Sequence, residues 1–166
     1  MSKNDFDFSQ FEEYIKKFEK MQKEFDTWLK TFLLQQAQRC IARTKTRQRG
    51  AGLIDTGFMI NAWVVGNEAK VIKKGDDGKF TSDYASTFAS KASINDVQMG
   101  QGGNLQITLG NIAEYASFVE LGHSTRNGGW VNGGFMLTIS LDEINRAMPT
   151  RFNNDFKNFL KKWGIE

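Results

Sequence analysis

AEYASFVELGHSTRNGGWVNGGFM, residues 113 to 136, passes from an aromatic segment into a loop punctuated by Gly122, Gly128, Gly129, Gly133 and Gly134. Tyr115, Phe118, Val119 and Leu121 supply apolar surface, and the spacing predicts a short helix over 114–121. The glycines allow backbone angles or close approaches that a side chain would block, so the loop is shaped rather than floppy. It carries the only histidine, His123, together with Trp130.

Downstream, Met136, Ile139, Ile144, Met148, Phe152, Phe156, Phe159, Leu160 and Trp163 recur at helical spacing and predict a long helix over 135–163. Pro149 has no N–H and clashes with the preceding turn, so a kink or split is expected near Met148. Lys157, Lys161 and Lys162 crowd the last turns, and Gly164 supplies a stop. Upstream, Phe8, Phe11, Ile15, Phe18, Phe25, Trp28, Leu29, Phe32 and Leu33 alternate with lysines at three- and four-residue steps, predicting one amphipathic helix over 8–44. Ser9 and Glu12 have capping-box spacing, and Asp5 or Asp7 could cap as well. At 1.5 Å per residue this helix would be roughly 50 Å long, more than a small domain covers by itself. Part of its apolar stripe, Phe18 and Phe25 included, is therefore expected to meet another subunit.

Between the helices, residues 53–134 read as a central sheet with loops. Asp55-Thr56-Gly57 opens a turn, 58–65 is a short apolar helix or strand, and 69–72 could pair with a later strand. The segment 73–103 has a strong turn at Gly75-Asp76-Asp77-Gly78 but no clean period, which suggests a long excursion from the core. Leu105, Ile107 and Leu109 alternate with Gln106 and Thr108, giving a half-buried strand that ends at Gly110-Asn111. The expectation is α+β: a small antiparallel β-sheet packed by a long N-terminal helix and a kinked C-terminal helix, in one domain over 1–166.

Composition agrees with a globular chain, at 40% hydrophobic and 25% charged residues. Fourteen phenylalanines and four tryptophans fit a core that continues into neighbouring copies. The single Cys40 cannot form an intramolecular disulfide and reads as a buried structural thiol. Neither a charged-then-apolar leader nor a run of eighteen apolar residues is visible, so synthesis in the cytoplasm and no membrane contact are expected. A net charge of +3 permits nucleic-acid contact, and Arg39, Arg43, Lys45, Arg47 and Arg49 form a cluster without an acidic residue. It reads either as a solvated helix end complementing the dipole or as a basic rim facing DNA.

Catalytic readings lose to structural ones. A single Asp55-Thr56-Gly57 lacks the second aspartate that shared-proton chemistry needs within one chain. Glu120, His123, Ser124 and Arg126 are merely adjacent in sequence, and a triad is a matter of geometry. One histidine without a thiol cluster is a poor zinc site, and the paired glycines lack the lysine of a phosphate loop. No cofactor is expected. Glu120, His123 and Arg126 are expected to pin the loop to itself or to a neighbouring subunit, and Trp130 is either core or an anchor across a subunit boundary.

Tyr115-Ala116, Val119-Glu120, Gly122-His123, Gly128-Gly129-Trp130-Val131, Gly133 and Phe135-Met136-Leu137 resemble the signature of a tailed-bacteriophage neck family, named for gene product ten of a lambdoid phage. Asp55-Thr56-Gly57 with Asn61-Ala62-Trp63 is similar to a second stretch of that family. The chain departs from it in having Leu53-Ile54 where a proline often stands, and in the long segment between Trp63 and Leu105. The resemblance implies a structural virion protein at the head-tail junction that completes or connects the tail. It also implies a homo-oligomeric ring, with six copies favoured over twelve, connector or stopper and tail-tube or tail-terminator partners, and an axial channel for DNA. The rival is a sequence-independent DNA-binding module acting through the Arg39 to Arg49 segment.

Overall fold

The computed structural model describes residues 9–53, 57–66 and 92–165. In chain order the elements are α1 (Ser9–Gly50), α2 (Phe58–Asn61), β1 (Trp63–Val65), β2 (Gln98–Met99), β3 (Leu105–Gln106), β4 (Leu109–Asn111), α3 (Ala116–Leu121), β5 (Gly122–Ser124), β6 (Trp130–Asn132) and α4 (Met136–Lys162). The fold is α+β, and its strands form three antiparallel two-stranded ribbons, β1–β4, β2–β3 and β5–β6.

Helix α1 continues past the predicted end at residue 44 because its buried stripe continues: Cys40, Thr44 and Gln48, at four-residue steps, are all enclosed. It stops at Gly52, whose φ of 67° lets its N–H reach the Arg49 carbonyl at 3.1 Å while the Leu53 N–H reaches Gln48 at 3.1 Å. This is the Schellman geometry, in which a left-handed glycine returns two donors to carbonyls that would otherwise go unpaired. Gly164 ends α4 in the same way, as its position in the sequence suggested.

The two long helices pack antiparallel. Lys162 pairs with Glu24 at 2.6 Å, Arg151 donates to Gln36 at 3.1 Å, and Glu143 meets Arg43 and Arg47. Between these tethers Phe25, Trp28 and Phe32 interleave with Phe152, Phe156 and Phe159, several of them edge to face. Each such ring pair adds about 0.5–1.5 kcal/mol beyond the area it buries. Phe25 thus packs on Phe156 and Phe159 of its own chain. Helix α4 is also not split at Pro149. Ring packing of Phe152 on Trp28 and Phe32 after the proline, and burial of Ile144 before it, hold both halves in one helix despite the lost hydrogen bond.

The core lies where α1 and α4 meet the small elements. Phe58, Met59, Trp63, Ile112 and Met136 enclose one cluster, and Leu34, Ala37, Val65 and Val97 a second. Trp63 is fixed by its indole N–H, which donates to the enclosed Gln48 at 3.2 Å. Asn111 ties β4 to α2, donating to the Met59 carbonyl at 2.8 Å. The sequence run 105–109 does not form one strand: β3 and β4 pair with different partners, although Leu105, Ile107 and Leu109 share the face against the second cluster. Of the excursion expected over 73–103, Val97 returns to the core and residues 73–91 lie outside the described residues, as do residues 69–72, expected to pair with a later strand.

Candidate assembly surfaces

Helix α3 and the β5–β6 ribbon are built around one close approach. A side chain at Gly133 would put its Cβ 2.2 Å from the Glu120 carbonyl oxygen and 2.5 Å from the Leu121 carbonyl carbon, so only glycine fits. The approach lets Gly134 and Phe135 donate to the Val119 and Glu120 carbonyls at 2.8 and 3.0 Å. It also carries the Glu120 carboxylate to the start of α4, where it accepts the Leu137 N–H at 3.1 Å and the Thr138 N–H at 2.9 Å. A carboxylate there satisfies donors at the positive end of the helix dipole. Glu120, expected to pin the loop or meet a neighbour, therefore caps a helix of its own chain.

Its two supposed companions do not join it. His123 packs edge-on to Phe118 at 5.8 Å, and its Nδ1 is buried without a hydrogen-bond partner among the described residues. Arg126 is exposed on the loop between β5 and β6. Trp130 is not core: it is 63% exposed, and its ring lies over Gly122. In the β5–β6 register His123 faces Val131 and Ser124 faces Trp130, so the ribbon presents apolar side chains on both faces.

At the far end of α1, Phe11, Tyr14, Ile15 and Phe18 form one stripe at three- and four-residue steps, and Phe18 is 61% exposed. Periodicity alone does not separate this stripe from Phe25 and Trp28. Partner length does, because α4 ends opposite Glu24.

The basic segment divides by helix face. Arg43 and Arg47 both grip the Glu143 carboxylate of α4, so these two cations are paired within the chain. Arg39 and Arg49 are exposed, and Lys45 is half-buried. Burial first, and the neighbouring Arg49 charge second, hold the Lys45 ammonium below the usual lysine range. Burial also pushes the Cys40 thiol up, against the Thr44 hydrogen bond and the Arg43 charge. Asp55 and Thr56 lie outside the described residues, and Gly57 takes a left-handed φ of 78° ahead of α2.

Comparison with protein-family models matches residues 12–122 to a family described as "Bacteriophage HK97-gp10, putative tail-component". The chain belongs to this family. The match spans both Asp55-Thr56-Gly57 and the Tyr115 to Gly122 motif and ends before Gly128-Gly129-Trp130. Membership gives the protein a structural role in a phage tail, in company with other phage structural proteins. Comparison with curated proteins and with solved structures gave no match. In this family member, the free end of α1, the β5–β6 ribbon and the outer side of α3 carry exposed apolar side chains, while Ala116 of α3 belongs to the first core cluster. No helix among the described residues is long and apolar enough to cross a membrane.

Proposed function

We propose that the protein assembles as a homo-oligomeric ring, six copies in preference to twelve, at the head-tail junction of a phage particle. There it connects or completes the tail and leaves an axial channel for DNA. The observation that carries the reading is apolar surface left open at both ends of a family member whose helices are otherwise well packed: Phe11, Tyr14 and Phe18 at one end, Phe118, Leu121 and Trp130 at the other. Exposed apolar patches of this kind mark association surfaces. Arg39, Lys45 and Arg49, with Arg43 and Arg47 restrained by Glu143, are the channel-lining candidates, and one such group per subunit would repeat as a belt of positive charge. The neighbours in the particle are a connector or stopper protein on one side and a tail-tube or tail-terminator protein on the other.

Mass photometry and electron-microscopic class averages of the purified protein test this directly. Closed rings at moderate salt are expected. A small species at all concentrations, with DNA affinity that falls steeply with salt, would instead support a DNA-binding module acting through residues 39–49.

A further inference from the structure

The two open apolar surfaces cannot cover each other within one chain. Antiparallel packing places Glu24 at Lys162 and Arg47 at Glu143, a separation of roughly 35 Å along α1 at 1.5 Å per residue. The stripe of Phe11, Tyr14, Ile15 and Phe18 lies beyond the Glu24 end. The surface of Phe118, Leu121, Trp130 and Val131 lies at the other end, where Glu120 caps α4.

We infer that the free end of α1 of one copy docks on α3 and the β5–β6 ribbon of the next copy, giving a head-to-tail contact. The inference rests on the ring reading and names its interface. Area supports a second copy as the occupant. The aromatic side chains, three on the ridge and two on the other surface, expose on the order of 100 Å² each at this degree of opening, and Ile15, Leu121 and Val131 add roughly 50–100 Å² each. Together they approach about 800 Å², which polar rims would bring to the size of a stable interface. Shape supports it too. One surface is a single helical ridge and the other a helix-and-ribbon surface, and one repeated contact between the unlike surfaces covers both once the series closes, whereas one self-pairing covers only one of them. A contact between unlike surfaces leaves one of each free at the ends of a pair. It therefore continues until rotation closes it.

Complementation of two assembly-deficient variants tests the contact. Phe18→Glu removes the ridge and Trp130→Glu the ribbon, and both positions are exposed, so each variant is expected to melt within a few degrees of wild type. Each variant alone should be monomeric. Mixed in equal amounts they should form a one-to-one dimer and nothing larger, since the intact ribbon of Phe18→Glu can still receive the intact ridge of Trp130→Glu. Rings from either variant alone, beside rings of wild type, would overturn the contact and leave the ring reading standing. Failure of the mixture to dimerise would also overturn it. A wild-type protein that never assembles would overturn both.

Discussion

Glu120 and Thr138 meet twice: the Glu120 carboxylate accepts the Thr138 backbone N–H at 2.9 Å and its hydroxyl at 3.0 Å. The α3 segment thereby caps α4 across a loop, and the β5–β6 ribbon takes its position from that junction. Glu120→Ala should cost about 1–2 kcal/mol, because donors in the first turn of α4 lose both their acceptor and a favourable charge. Glu120→Gln should cost less, since it keeps an acceptor. Chemical denaturation ranks the two variants against wild type, and a Glu120→Gln midpoint equal to that of wild type would remove the charge from the account.

The close approach at Gly133 makes a sharper prediction. Gly133→Ala drives a Cβ into backbone atoms of Glu120 and Leu121, which cannot rotate away as a side chain could. A loss of more than about 2 kcal/mol is expected, with near-wild-type stability for alanine at the open Gly50. Thermal melts compare them.

Glu143 holds Arg43 and Arg47 together, and the three side chains remain partly open to water. Each exposed pair is worth at most about 1 kcal/mol. Glu143→Gln should therefore change stability little while releasing two cations, so its non-specific DNA affinity at low salt should exceed that of wild type. The slope of affinity against salt should steepen by roughly one to two phosphate contacts. Fluorescence anisotropy over a salt series reads both.

Cys40 is enclosed, and its thiol is held above the usual range mainly by burial. The thiolate is the reactive form, so a disulfide reagent should modify the native protein at least about a hundredfold more slowly than the denatured chain. Rapid native labelling would mean that this face of α1 opens.

Lys45 predicts a pH effect. Its proton is bound less tightly in the folded state than in the unfolded chain, because burial and then Arg49 disfavour the charge. The resulting penalty is fully present below the folded pKa and fades as pH rises through it. Lys45→Met should melt above wild type at neutral pH, and the gap should narrow in alkaline buffer. A gap that is constant with pH would assign the gain to packing alone.

The sequence by itself determined both long helices, the α+β class, the family and the stop at Gly164, because each depends on local period, backbone freedom or motif order. It could not divide the apolar stripe of α1. Phe18 and Phe25 occupy equivalent turns of one pattern, yet Phe25 is packed by Phe156 and Phe159 whereas Phe18 has passed the end of α4. Nor could it show that Arg43 and Arg47 share Glu143, or that Glu120 reaches Leu137 and Thr138, since those partners lie far along the chain. Pro149 shows the same limit: its local rule left a kink or a split open, and packing on both sides kept the helix in one piece. Period and propensity belong to a segment, whereas coverage, pairing and continuity depend on which other segment lies opposite. Only the tertiary structure decided that.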